Sequence, residues 1–107
     1  MYGVRILRET KNTMEMDPKH LTDLQKRQLL FFTLVQQHEQ LAMMGLGKLK
    51  NPTTDAIERD LNQARYMIDT LEMLDHYTKG QLEAELTQYL QHVLSTLRLN
   101  YVDESSK

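Results

Sequence analysis

The apolar residues recur three or four positions apart in three separate stretches, which is the spacing of side chains that share one face of a helix. The first stretch takes in Leu21, Leu24, the run Leu29 to Val35, Leu41 and Ala42. Asp17 followed by Pro18 supplies an N-cap and a proline at the first helical position, where its missing N–H has no partner to lose. Gly45 and Gly47 tolerate left-handed backbone at a C-terminus, so the pattern predicts a helix of about 28 residues, roughly 42 Å long. In the second stretch Ile57, Leu61, Ala64, Ile68 and Leu71 form one stripe, widened by Leu74. Asn51-Pro52 disfavours helix before it, Thr53 or Thr54 is the expected cap, and Asp55 and Glu58 fall in the expected first turn. Thr78-Lys79-Gly80 marks the next stop, and a third helix carries Leu82, Leu86, Leu90, Val93, Leu97 and Tyr101, with Tyr89 and Leu94 beside them.

So short a turn at Gly80 predicts that the second and third helices run antiparallel, with Leu71 beside Leu90, Ile68 beside Val93, and Leu61 beside Leu97 or Leu99. The expected fold is all-α: a three-helix arrangement in which a long first helix packs on an antiparallel helical hairpin. Residues 1–16 show no clear period and read as a loose N-terminal arm, with Met14 or Met16 an alternative start. Residues 17–102 read as a single helical domain, and residues 103–107, polar after Val102, as a disordered tail.

One segment has more apolar surface than this architecture hides. Leu29, Leu30, Phe31, Phe32, Leu34 and Val35 are six apolar residues in seven and girdle the helix, whereas a helix on one hairpin buries a single stripe. His38 extends the line of Leu24 and Phe31 at seven-residue spacing. These seven residues, Leu29 to Phe32 with Leu34, Val35 and His38, form the expected oligomer or partner interface; the N-terminal arm is the other available cover, and a homo-oligomer is the expected state. Met43, Met44, Met67 and Met73 add adaptable apolar surface suited to core filling first and to a partner groove second.

Composition narrows the chemistry. With no cysteine, the 107-residue chain has no disulfide framework, thiolate metal site or cysteine nucleophile, and the expected compartment is the cytoplasm. No apolar stretch approaches the roughly 20 residues that cross a bilayer, so no membrane partner is expected. The net charge of −2 divides into +3 over residues 1–53 and −5 over residues 54–107. Lys19, Lys26, Arg27, Lys48 and Lys50 are scattered, which argues against nucleic acid. Of His20, His38, His76 and His92, the closest match to a helical ligand pair is His76 with Glu72, flanked by Asp75, and a bundle metal site needs further ligands from facing helices. Gly45-Leu46-Gly47-Lys48 lacks the full spacing of a phosphate loop. Arg98 is placed to reach Asp60 or Asn62 across the hairpin, and no serine, aspartate or histidine sits at a recognised catalytic spacing. The reading is therefore a non-enzymatic self-associating or protein-interaction module with no catalytic residue, cofactor or metal. A metal- or small-ligand-binding bundle is the alternative, followed by a nucleic-acid-associated protein.

The spaced pairs Gly47-Lys48, Asn51-Pro52, Ala64-Arg65, Ile68-Asp69, Thr78-Lys79-Gly80, Leu97-Arg98 and Tyr101-Val102, with Leu71 and Leu74 between, resemble a family of short bacterial proteins called domain of unknown function 1844. The likeness covers about residues 29–102 and departs from the family pattern at Gln81, where the family carries Asn. It implies a small helical protein and brings no activity, cofactor or catalytic residue with it.

Overall fold

The computed structural model describes residues 21–107. Its helices are α1 (Asp23–Gly45), α2 (Leu61–Tyr77) and α3 (Ala84–Ser105), as the three apolar stretches predict. The described residues form no named strand, only an isolated bridge between Asn51 and Ala56. No helix among them is long and apolar enough to cross a membrane.

The arm at residues 1–16 and the Asp17-Pro18 start lie outside the described residues. The described helix opens at Thr22, later than the sequence pattern predicts. Thr22 Oγ1 accepts from the Gln25 amide and Gln25 Oε1 accepts from the Thr22 amide, both at 3.0 Å, so two otherwise unpaired donors are satisfied reciprocally. Leu21 therefore precedes α1 rather than belonging to it, and α1 has 23 residues. At its other end, Gly47 takes φ +78° while its amide donates to the Met44 carbonyl and the Lys48 amide donates to Met43. That pair of bonds satisfies the last carbonyls of the helix and requires the left-handed residue between them.

Gly45 acts differently from Gly47. It remains inside the helix, and a Cβ there would lie 2.6 Å from the Asp60 carbonyl oxygen and 2.8 Å from the Ala64 amide nitrogen. α1 and α2 thus meet backbone to backbone, and the Asp60 amide donates to the Gly45 carbonyl at 2.8 Å.

The start expected for α2 near Thr53 or Thr54 is corrected to Asp60, whose carboxylate accepts from the Asn62 and Gln63 amides. Residues 51–58 prefer their own local bonds. The Asn51 side chain accepts from the Thr53 amide and donates to Glu58, Thr54 Oγ1 donates to Glu58, and Asp55 adopts φ +54°, which no α-helix accommodates. Ile57, expected on the buried stripe, is consequently exposed. The turn at Gly80 (φ +76°) is as expected, but α3 opens only after Glu83, leaving Leu82 in the turn and packed against the core.

One core joins all three helices through Val35, Ala42, Leu46, Ala64, Ile68, Leu71, Leu90, Val93, Leu94 and Leu97. It includes Leu71, Leu90, Ile68 and Val93, but the polar contacts between α2 and α3 do not follow the register in which the sequence pattern pairs them. α1 packs more extensively on α2 than α2 does on α3. Asp75 meets Gln91 and Glu72 meets Arg98, so polar partners lie about six to ten residues further along α3 than a symmetric turn predicts. This register takes Arg98 to Glu72 rather than to Asp60 or Asn62.

The tail expected at residues 103–107 is also corrected, because helix continues to Ser105. Glu104 is buried, at 6 % exposure, and three cations converge on it: Lys107 at 2.8 Å, Lys48 at 3.0 Å and Arg59 at 3.2 Å. Arg59 also donates to the Glu104 carbonyl at 2.7 Å. Hydrogen bonds from Lys107 and then Lys48 hold the Glu104 carboxyl at about 2, and the same contact raises Lys107.

Two stability measurements test these contacts. In an exposed helix Gly→Ala gains about 1 kcal/mol, but here the new methyl meets immovable backbone at an overpacking cost of about 1–3 kcal/mol. Gly45→Ala is therefore expected to lower the urea midpoint, a net loss of up to about 2 kcal/mol. Glu104→Gln should lower the melting temperature at neutral pH by several degrees. Because the folded pKa is depressed from 4.5 to about 2, the stabilisation is complete above the unfolded value and fades as pH falls through the folded one. The gap between the native chain and Glu104→Gln should therefore close between about pH 4.5 and 2.

Candidate interaction surface

The seven residues expected at an interface separate into two sets. Val35 is fully buried and Phe32 is buried against Leu86, its ring stacked on Tyr89 at a centroid distance of 4.7 Å. These two belong to the protomer's own core, which removes them from the expected interface. The register of α3 explains it, since Leu86 and Tyr89 reach the girdle from one side. Leu29 and Phe31 are half-buried. Leu30, 62 % exposed, and Leu34, 37 % exposed, remain open. His38 is half-buried, and its Nδ1–H donates to the Leu34 carbonyl at 2.8 Å.

The exposed positions share one side of the α1–α2 pair. On α1, Gln28 bonds Glu83 and Phe32 stacks on Tyr89, so this side of the helix faces the α3 layer. On α2, Glu72 and Asp75 likewise turn to α3. At 100° per residue, Leu30, Leu34, Gln37 and Leu41 lie on the side of α1 turned from those contacts. Tyr66, Thr70, Met73 and Tyr77 occupy the equivalent side of α2. The Gln63 side chain joins the two stripes by donating to the Leu41 carbonyl at 3.0 Å. Both stripes repeat at four, three and four residues, and none of the eight positions is charged. Tyr66, Met73 and Tyr77 are exposed, as are the three leucines. Sequence reading missed the α2 half because Tyr66 and Tyr77 stand among polar neighbours; the repeat at 66, 70, 73 and 77 was the available signal.

The other sequence candidates do not gather into a site. Glu72 pairs with Arg98 at 3.5 Å, and His76 packs edge-on against Tyr77 at 5.0 Å. No group of three His, Cys, Asp or Glu residues among the described residues could hold a metal ion. His20 and Lys19 lie outside the described residues. Lys26 and Arg27 stand exposed at the start of α1, while Lys48 is committed to Glu104. A cleft of about 270 Å³ between α2 and α3 has Ile68, Tyr101 and Val102 as its apolar part. Its charges are matched in Arg65–Asp69 and Arg98–Glu72 pairs. A second cleft of about 290 Å³ lies beside Leu24, Phe31, Leu82 and Leu86. Among the described residues, no buried side-chain nitrogen or oxygen lacks a hydrogen-bond partner.

Between α1 and α3, burial raises the Glu39 carboxyl despite the opposing influence of His92 and the bond from Tyr89, and burial together with Glu39 raises the Tyr89 hydroxyl. A raised acid favours the folded state when protonated, so this contribution to stability declines as pH climbs through 4.5 and above. Gln retains an acceptor for Tyr89 without the charge. Glu39→Gln should melt higher than the native chain at neutral pH, by less than the equivalent of about 1 kcal/mol, and the difference should vanish below about pH 4 in thermal melts.

No curated protein and no solved structure matches the chain. The family described as Domain of unknown function (DUF1844) matches residues 28–103, from the first turns of α1 nearly to the end of α3. The match takes in both stripes and the core that orients them, and on that extent the chain belongs to the DUF1844 family.

Proposed function

We propose that this chain is a non-enzymatic helical interaction module that works by docking another helical surface on the outer face of α1 and α2. The observation that carries the reading is the uncharged pair of stripes, Leu30–Leu34–Leu41 and Tyr66–Met73–Tyr77, left exposed on one side of the helix pair. A scattered exposed leucine is ordinary, but a contiguous apolar patch is a feature of binding surfaces. The 3–4 repeat on both helices suits a helical occupant, since helices packed at shallow angles meet along such seams. The cytoplasm is the proposed setting, resting on the cysteine-free composition.

Two measurements separate docking surface from core. Leu30→Lys and Leu34→Glu should shift the unfolding free energy of the monomer by no more than about 0.5 kcal/mol, whereas Phe32→Ala should cost about 3–5 kcal/mol. A photo-crosslinking residue placed at Leu30 or Tyr77 in living cells should yield one discrete protein adduct that Leu34→Glu abolishes, with none from the same residue at Leu99. Unfolding of Leu34→Glu, or adducts indifferent to it, would remove the proposal.

A further inference from the structure

We infer that the occupant of this face is a second copy of the chain, packed outer face to outer face about a two-fold axis so that two α1–α2 pairs form a four-helix layer with both α3 helices outside. The inference rests on the interaction-module reading and adds the identity of the partner. Its first support is shape. A single foreign helix lies in one seam and covers part of the face, whereas another two-helix layer covers both stripes. The chain itself supplies such a layer, with the same 3–4 repeat on each of its helices.

Area gives the second support. From the exposures of Leu30, Leu34, Leu41, Tyr66, Met73 and Tyr77, the apolar side-chain surface on the face is on the order of 600 Å² per copy, before any rim residues. A standard stable interface removes about 800 Å² from each partner, so the patch is of the size a dimer needs.

Charge gives the third. An unlike partner selected electrostatically needs charges on the docking face, and the eight stripe positions have none. The repeat on α1 continues to Arg27 at one end and Met44 at the other. Parallel α1 helices in register would set Arg27 beside its own copy. An antiparallel pair instead separates the two guanidinium groups by about 25 Å, the length of the stripe, and sets each near a methionine. The geometry therefore favours antiparallel α1 helices across the axis.

Sedimentation equilibrium on the full chain at about 50 µM is the direct test. The expected mass is twice the 12.6 kDa of one chain. Leu34→Glu and Tyr77→Glu should each return it to one chain mass with the helical circular dichroism unchanged, and Leu99→Glu, on the exposed side of α3, should leave the dimer intact. Leu30→Lys serves where either glutamate variant loses helicity, since Leu30 is the most open of the three leucines. A native chain of single mass, or a dimer that survives Leu34→Glu, Tyr77→Glu and Leu30→Lys alike, overturns the inference. Failure here is distinct from failure of the module reading: a monomer that still yields a Leu34-dependent crosslink of another mass retains the docking face and changes its occupant.

Discussion

The contact of Gly45 with Asp60 and Ala64 decides how the rest of the molecule is arranged. Because Gly45 has no Cβ, the last turn of α1 approaches the backbone at the start of α2, and the Asp60 amide closes onto the Gly45 carbonyl. α2 then runs back along α1 with its phase fixed at the first turn. Every later consequence, including which residues meet α3 and which are left facing out, follows from that phase, since rotation of a helix by one residue moves a side chain by 100° around its axis.

The same approach explains the loop that precedes it. Residues 46–60 have to bring the chain from the end of α1 back to within bonding distance of Gly45, and they do so with a left-handed residue at Gly47, a self-bonded turn at Asn51–Glu58 and a second left-handed residue at Asp55. Arg59 and Lys48, one at each end of the loop, both reach Glu104 on α3. A buried carboxylate with three cationic partners avoids the desolvation cost of an isolated charge, and it ties the loop to the third helix. The backbone contact of Gly45 and the ionic contact of Glu104 thus secure the same end of the molecule by different means.

At the other end, the apolar girdle of α1 is divided by α3. Leu86 and Tyr89 cover Phe32, and Val35 enters the common core, while Leu30 and Leu34 remain outside. The outside set becomes a surface rather than a pair of stray leucines because α2 presents Tyr66, Met73 and Tyr77 beside it. A functional face built from two helices joined by a 15-residue loop is not visible along either helix alone.

The sequence by itself determined the three helices and their apolar faces, because periodicity of three to four residues reports a local geometry that neighbouring side chains share. It determined the stops at Gly47 and Gly80 too, where only glycine takes positive φ without strain, and it carried the pairs by which the family is recognised. The tertiary structure alone decided where helices begin. Asp60 was chosen over Thr53 and Thr54 by side-chain bonds whose partners local propensity does not rank. It also decided that Glu104 belongs to the interior, because its three partners come from different parts of the chain, two of them about 50 residues away. The division of Leu29 to Val35 into core and surface was likewise a matter of register between distant helices, which no local pattern encodes.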